Sequence, residues 1–140
     1  MYLKQTERKD LKSKEKRKQL VSSEEWDKLH IDHKIFSRNK IDRMHWSAKG
    51  RLKGQYRILI RNQMRLNKAE PTNRKCELKI HCYLKRLYDM DNLWGGLKQF
   101  IDAMTTENFI WDDNPEYLDI KEVKQFKDKE EKIIVKRLVK

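Results

Sequence analysis

The sequence predicts a single α+β domain, a small β-sheet with two main helices packed on it, preceded by a basic N-terminal extension. Three observations predict this. Runs with an apolar residue at every second position recur near residues 29–35, 76–84, 118–126 and 132–138, the period of half-buried strands. Two longer runs place apolar residues three and four apart, the period of an amphipathic helix. Finally, residues 1–28 are lysine-rich and poor in apolar side chains, whereas the patterned runs fill 29–140. At 140 residues the chain has the length of one domain and is short for two.

The elements follow in order. In residues 1–28, Leu11 and Leu20 stand isolated, so this stretch has no face to bury and is expected to lie outside the core. A short turn starting at Ser22 or Ser23, before Glu24, would use ordinary helix-start chemistry. Leu29, Ile31, His33 and Ile35 alternate with polar residues and predict the first strand. The polar segment SRNKIDRMHW then reads as a turn, with Trp46 as the next apolar anchor. Ser47 is expected to cap a helix whose stripe is Ala48, Leu52, Tyr56, Leu59, Ile60 and Met64. Gly50 and Gly54 weaken that helix by about 1 kcal/mol each relative to Ala, so packing must hold it. Cys76, Leu78, Ile80, Cys82 and Leu84 mark the clearest strand. A second helix carries Leu93, Leu97, Phe100, Ile101 and Met104 on one face. TTENFIWDDNPEY reads as a loop, and two strands near Leu118–Phe126 and Lys132–Leu138 close the chain. The alternation slips between Ile120 and Val123, the mark of a bulge or of a misplaced strand boundary.

Composition narrows the function classes. With 37% hydrophobic and 40% charged residues, the core must be compact. A formal charge of +12 favours polyanionic partners. No apolar run is long enough to span a bilayer, and the basic N-terminus lacks the apolar stretch of a secretory signal. Cys76 and Cys82 lie on one expected strand, roughly 20 Å apart, and a disulfide needs Cα atoms within about 7 Å. Two core thiols in a reducing, cytoplasmic setting are therefore expected. The histidines lack zinc spacing, and His45, in the basic loop, is the one placed to meet a polyanion.

Charge is also segregated along the chain. Residues 37–68 hold ten Lys or Arg against one acid, Asp42. Residues 102–119 hold six acids and no Lys or Arg. A pure polyanion binder gains nothing from that acidic block, whereas a nuclease needs cations for the backbone and carboxylates for a metal. Asp89 and Asp91 follow a strand at i and i+2, and an extended backbone would turn both carboxylates to one side, about 6–7 Å apart at Cα. That spacing brackets one hard cation such as Mg²⁺. Asp91 serves equally as the cap of the helix that follows, and one carboxylate can do both. Asp112 and Asp113, after Phe109, Ile110 and Trp111, read either as a polar loop tip or as a second acid pair at the far end of the same helix.

The stretch DMDNLWGGLKQFIDAM followed by NFIWDD resembles the RusA-type Holliday-junction resolvases, phage-borne relatives included. The family pattern is an Asp-x-Asp-Asn-Leu element, a lysine-bearing helix with an Asp-Ala segment, and a closing Asp-Asp. It falls here on Asp89, Asp91, Asn92 and Leu93, on Lys98, Asp102 and Ala103, and on Asp112 and Asp113. Upstream, SRNKIDRMHWSAKG is similar to the family's loop before its first long helix, with Asn39 and Trp46 at matching positions. The likeness spans about residues 29–140 and is specific over Asp89–Asp113. Trp94, Gly95 and Gly96 lengthen the link to Lys98 relative to the family.

The resemblance implies a mixed sheet and a homodimer that resolves junctions or related branched DNA by paired nicks, using Mg²⁺, with Mn²⁺ as a substitute. It implies Asp89, Asp91 and Asp113 as metal ligands, Asp112 as a ligand or its partner, and Lys98 on the scissile phosphate. The alternative for Lys98 is an ion pair with Asp102 one turn on. Asp102 is expected to support the helix surface. The basic segment supplies the expected DNA contacts: Arg38, Asn39, Lys40, Arg43, His45, Lys49, Arg51, Lys53 and Arg57. Two rival functions compete. A non-catalytic DNA-binding protein of the same fold has no use for carboxylates facing phosphate. A metal-free ribonuclease needs acid–base side chains rather than an acidic cluster.

Overall fold

The computed structural model describes residues 25–140, so the expected turn at Ser22 or Ser23 and most of the basic extension lie outside the described residues. Strand β1 spans Asp27–Ile31, helix α1 Arg38–Asp42, helix α2 Trp46–Leu66 and strand β2 Cys76–Leu84. Helix α3 spans Met90–Thr106, strand β3 Leu118–Lys127 and strand β4 Lys132–Val139. The four strands form one sheet in the order β1-β4-β2-β3. The β1–β4 and β2–β4 ladders are antiparallel and β2–β3 is parallel. The fold is thus α+β with a mixed sheet, as expected, the parallel pair being joined through α3 as a crossover requires.

Alternation decides which face of the sheet is covered. Cys76, Leu78, Ile80, Cys82 and Leu84 of β2 are all fully buried, together with Leu29 and Ile31 of β1 and Ile133 and Val135 of β4. Against them pack Leu52, Tyr56, Ile60 and Met64 of α2 and Leu93, Leu97, Phe100 and Met104 of α3. Tyr56 and Phe100 meet edge to face at 5.3 Å between centroids. Both cysteines are free and buried, and burial pushes the Cys82 thiol up to about 12, which keeps it protonated and inert. No helix among the described residues is long and apolar enough to cross a membrane.

Four local expectations need correction. The first strand ends at Ile31 rather than reaching Ile35, because the chain turns there, with the His33 N–H donating to the Ile31 carbonyl at 2.9 Å. That strand also begins two residues before the expected domain boundary. Asp27 belongs to the sheet and binds Arg137, a charged side chain only 2% exposed. Helix α2 is capped by His45, whose Nδ1 accepts from the Ser47 N–H at 3.2 Å, and Ser47 lies inside the helix. Trp46 is no core anchor, being 78% exposed. The slip between Ile120 and Val123 is a bulge at Lys121: Leu78 pairs with Ile120 and Lys79 with Glu122.

The Trp94-Gly95-Gly96 element has a packing reason. A Cβ on Gly96 would lie 1.8 Å from the Phe36 carbonyl oxygen, and one on Gly95 would lie 2.5 Å from the Arg38 Cβ. The segment leading into α1 therefore crosses α3 at a distance only glycine permits. Gly96→Ala is expected to lower stability by at least the roughly 1–3 kcal/mol usual for overpacking, since backbone cannot rotate aside as a side chain can. Gly50→Ala and Gly54→Ala, where nothing lies within 4 Å, are expected to raise stability by about 0.5–1 kcal/mol each. Thermal or urea unfolding of the three variants checks this. A Gly96→Ala protein as stable as the wild type would refute the close crossing.

Candidate functional site

One face of α3 and its neighbours enclose a groove of about 810 Å³. Helix α3 contributes Asp91, Trp94, Gly95, Lys98, Ile101 and Asp102, residues three and four apart along one face. This face lies beside the apolar stripe Leu93, Leu97, Phe100 and Met104, so one helix serves core and groove together. Arg38, Ile41 and Asp42 of α1 and Lys49 of α2 join the lining, together with Leu118 and Ile120 at the start of β3. Asp113 enters from the loop between α3 and β3. Three cations and four carboxylates thus meet at one partly apolar surface.

The acids expected as metal ligands divide. Asp91 and Asp113 line the groove, and so does Asp102, for which the sequence suggests only support of the helix surface. Asp89 is not part of the lining. It is the N-cap of α3, accepting from the Asn92 N–H at 2.9 Å and from the Asn92 side-chain amide at 3.0 Å. Capping is one of the two roles the sequence allows Asp91, which instead occupies the first turn of the helix. The Asp89–Asp91 stretch is therefore a helix start and not the extended pair expected from the sequence. Asp112 shapes its own loop, accepting from the Asp113 N–H at 2.7 Å and from the Asn114 side-chain amide at 2.8 Å.

Asp91 and Asp102 are eleven residues apart on α3, about 16 Å of helical rise, with Lys98 between them. Along α3, acid therefore stands on either side of Lys98. Among the described residues, no three His, Cys, Asp or Glu side chains are gathered as a metal-binding group. The expected convergence of Asp89, Asp91 and Asp113 on one point is thus not formed in this arrangement. The Asp113 carboxyl feels its acidic neighbours. A hydrogen bond shared with Asp112 raises the Asp113 carboxyl above its ordinary value, reinforced by burial and by the charges of Asp112 and Asp102. Asp112 is held low, first by the Asp113 backbone N–H.

The expected DNA contacts divide as well. Arg38 and Lys49 line the groove. Lys40, Arg43 and Arg51 are exposed, and Lys53 is half-buried. The Asn39 N–H donates to the Asn92 side-chain oxygen at 3.4 Å, tying α1 to the start of α3. His45 is spent on its cap. Arg57 is committed to the fold, its Nε donating to Glu107 at 2.9 Å, and Arg61 binds the same carboxylate at 2.6 Å. Glu107, with a side chain 7% exposed, belongs to the acidic block of the sequence, yet its charge is answered by two arginines of α2. Asp119 is likewise paired, with Lys121 at 2.7 Å.

Sequence reasoning misses the groove-lining roles of Asp102, Trp94, Gln99 and Asp42, although the spacing of 91, 94, 98 and 102 can be read as a second helical face. No family model matches the chain, and no curated protein matches it.

The Glu107 bridge yields a pH prediction. Its carboxyl lies below the ordinary glutamate value, first because of the Arg61 hydrogen bond and then, against some burial, that of Arg57. A depressed folded pKa contributes stability above the unfolded value, which is lost as pH falls through the folded one. Glu107→Gln is therefore expected to melt below the wild type at neutral pH, with the gap closing at strongly acidic pH. Melting curves across that range decide it. A gap of constant size would mean the charge contributes nothing.

Proposed function

We propose that the groove is the site of a divalent-metal-dependent DNA endonuclease that cuts branched DNA. The observation that carries the reading is the meeting of Asp91, Asp102 and Asp113 with Arg38, Lys49 and Lys98 in one groove. Phosphodiester hydrolysis needs both signs at one place, cations for the phosphate and carboxylates for a metal. The resemblance over Asp89–Asp113 supplies the substrate class, a junction or related branched DNA, and the homodimer that places two nicks about a two-fold axis.

The donor set fits a hard cation. Mg²⁺ is commonly held by one or two carboxylates, its remaining positions filled by water and substrate phosphate. Asp113 with Asp102 would hold it near the loop, and Asp91 would serve at the opposite end of the groove. Bound there, the cation supplies Lewis-acid polarisation of a phosphoryl oxygen. Lys98, between the acids, balances the charge that develops on the phosphate during attack by water. Arg38 and Lys49 hold the flanking backbone, and Trp94, 42% exposed in the lining, offers a flat apolar surface to a sugar or an unpaired base. Asp89 positions Asn92, and through it Asn39 and α1.

Nicking of a synthetic four-way junction, each strand labelled in turn, tests this. Cleavage is expected in Mg²⁺ or Mn²⁺ and not in EDTA. Asp113→Asn and Asp91→Asn are expected to lose orders of magnitude, and Lys98→Ala about 10²–10³-fold, as when one transition-state interaction is removed. Junction binding in EDTA should persist or tighten in the Asn variants, since a charge repelling phosphate has gone. Light scattering should show a dimer at concentrations where paired strands are cut. Variants that nick at the wild-type rate, or cleavage indifferent to EDTA, would overturn the reading.

A further inference from the structure

The face of the sheet turned away from the helices carries chemistry of its own. Residues directly opposite in a ladder project from the same face. Lys28 is opposite Lys136, and Lys136 is opposite Lys79, so three lysines stand in one row across β1, β4 and β2. Like charges directly opposite one another destabilise a sheet. With strands about 4.8 Å apart, the row gathers three cations; Glu122 beyond Lys79 and the Trp26 ring, 4.7 Å from the Lys79 ammonium, answer part of that charge, and a bound anion answers the rest. Two residues further along each strand the row reads His30, Ile134, His81 and Lys124, and beyond it Lys132, Tyr83 and Phe126.

This last row is aromatic and cationic together. The Tyr83 and Phe126 rings stack at 5.1 Å and 26°. The Lys132 ammonium lies 4.9 Å from the Tyr83 centroid, and His81 packs edge-on against Phe126 at 5.4 Å. Phe126 is 38% exposed on β3, the edge strand of the sheet. The acids on this face are already answered, Glu77 by Lys121 and Lys140, Asp119 by Lys121, and Glu122 by His81 and Lys124. The face therefore presents net positive charge beside stacked rings.

We propose that this open face is a second nucleic-acid surface, binding single-stranded DNA with bases on Phe126 and Tyr83 and phosphates on Lys28, Lys79 and Lys136. Stacking on aromatic side chains within a basic surface is the general means of holding unpaired strands without sequence preference. Charge excludes the other occupants. A second copy laid face to face sets these lysines against themselves, and the basic N-terminal segment brings more of the same sign. The choice of DNA over RNA rests on the endonuclease reading of the groove; the surface itself does not. Branched DNA has single-stranded arms wherever it is forked or flapped, and this face holds such an arm away from the groove.

The test uses the full chain in EDTA, with fluorescein-labelled dT12 followed by anisotropy. Phe126→Leu and the double variant Lys79→Gln, Lys136→Gln are each expected to weaken binding at least about 5-fold. The lysine variant should also flatten the salt dependence, by about 0.7 in log–log slope for each phosphate no longer neutralised. Both should stay folded and keep four-way-junction nicking, the lysine variant melting at or above the wild type because opposed charges have gone, while Lys98→Ala in the groove keeps dT12 binding and loses nicking. Tight dT12 binding that depends on Phe126, in a protein that nicks nothing, supports the face and counts against the groove alone. Binding unchanged in both face variants, or abolished by Lys98→Ala, overturns the proposal. So does tighter binding of rU12 than of dT12, or a dimer that dissociates when Phe126 is replaced.

Discussion

Between Ile31 and α1 the chain leaves the sheet and crosses α3 so closely that its Phe36 carbonyl occupies the space of a Gly96 side chain. Much else follows from that crossing. A backbone pressed against a helix must find partners for its own polar groups, and here they come from several elements. Tyr56 of α2 donates to the Lys34 carbonyl at 2.7 Å, and Tyr88, just before α3, donates to the Ile35 carbonyl at 2.9 Å. Asn92 of α3 receives the Asn39 N–H. These bonds place α1 over α3, which sets Arg38, Ile41 and Asp42 beside Asp91, Trp94 and Lys98 in the groove lining. The groove exists because Gly96 lets the Phe36 backbone, and Gly95 the Arg38 side chain, approach α3 where no Cβ would fit.

A second tie fixes the far end. Arg137 of β4, almost fully buried, donates to Asp27 at 2.6 and 3.0 Å and to the Phe109 carbonyl at 2.8 Å, with its guanidinium 4.3 Å from the Phe109 ring centroid. A buried charge is tolerable only when paired and hydrogen-bonded, and Arg137 meets both conditions. It joins β1, β4 and the loop that runs on to Asp112 and Asp113. Glu107, gripped by Arg57 and Arg61, anchors the C-terminal end of α3 to α2. The loop bearing the acids is therefore held at its root by ionic interactions, while Asp113 itself faces the groove.

What the sequence reveals, and what it hides, divides along physical lines. Helix stripes and strand alternation are local and periodic, so β2 and the buried stripes of both long helices are legible, and the slip between Ile120 and Val123 marks an irregularity that the register resolves as a bulge. Of the aspartates named from the sequence, Asp91 and Asp113 line the groove, Asp89 and Asp112 are used by a cap and a loop, and Asp102 is added by the fold. Their geometry cannot be read. Whether Asp89 or Asp91 caps α3 depends on a placement that both residues satisfy locally. Glu107 and Arg57 pair across fifty residues of sequence, and charge blocks counted along the chain say nothing about such pairs. Trp46 looks like core because large apolar residues usually are; the cap at His45 turns it outward. The glycine pair reads as an insertion, and only the crossing chain shows it to be a point of close approach.

The proposed reaction requires the groove to hold a divalent cation on Asp102 and Asp113, carboxylates that the helix caps and ion pairs of the described residues do not use. Binding of Mn²⁺, followed by the loss of the free-ion electron paramagnetic resonance signal, measures this without any substrate. Stoichiometric binding is predicted for the wild type, weakened at least about tenfold, or roughly 1.4 kcal/mol, by Asp113→Asn and by Asp102→Asn. Glu107→Gln, whose carboxylate is already committed to two arginines, should bind as the wild type does. Mn²⁺ binding that is absent from the wild type, or unchanged when Asp113 and Asp102 are replaced, would contradict it.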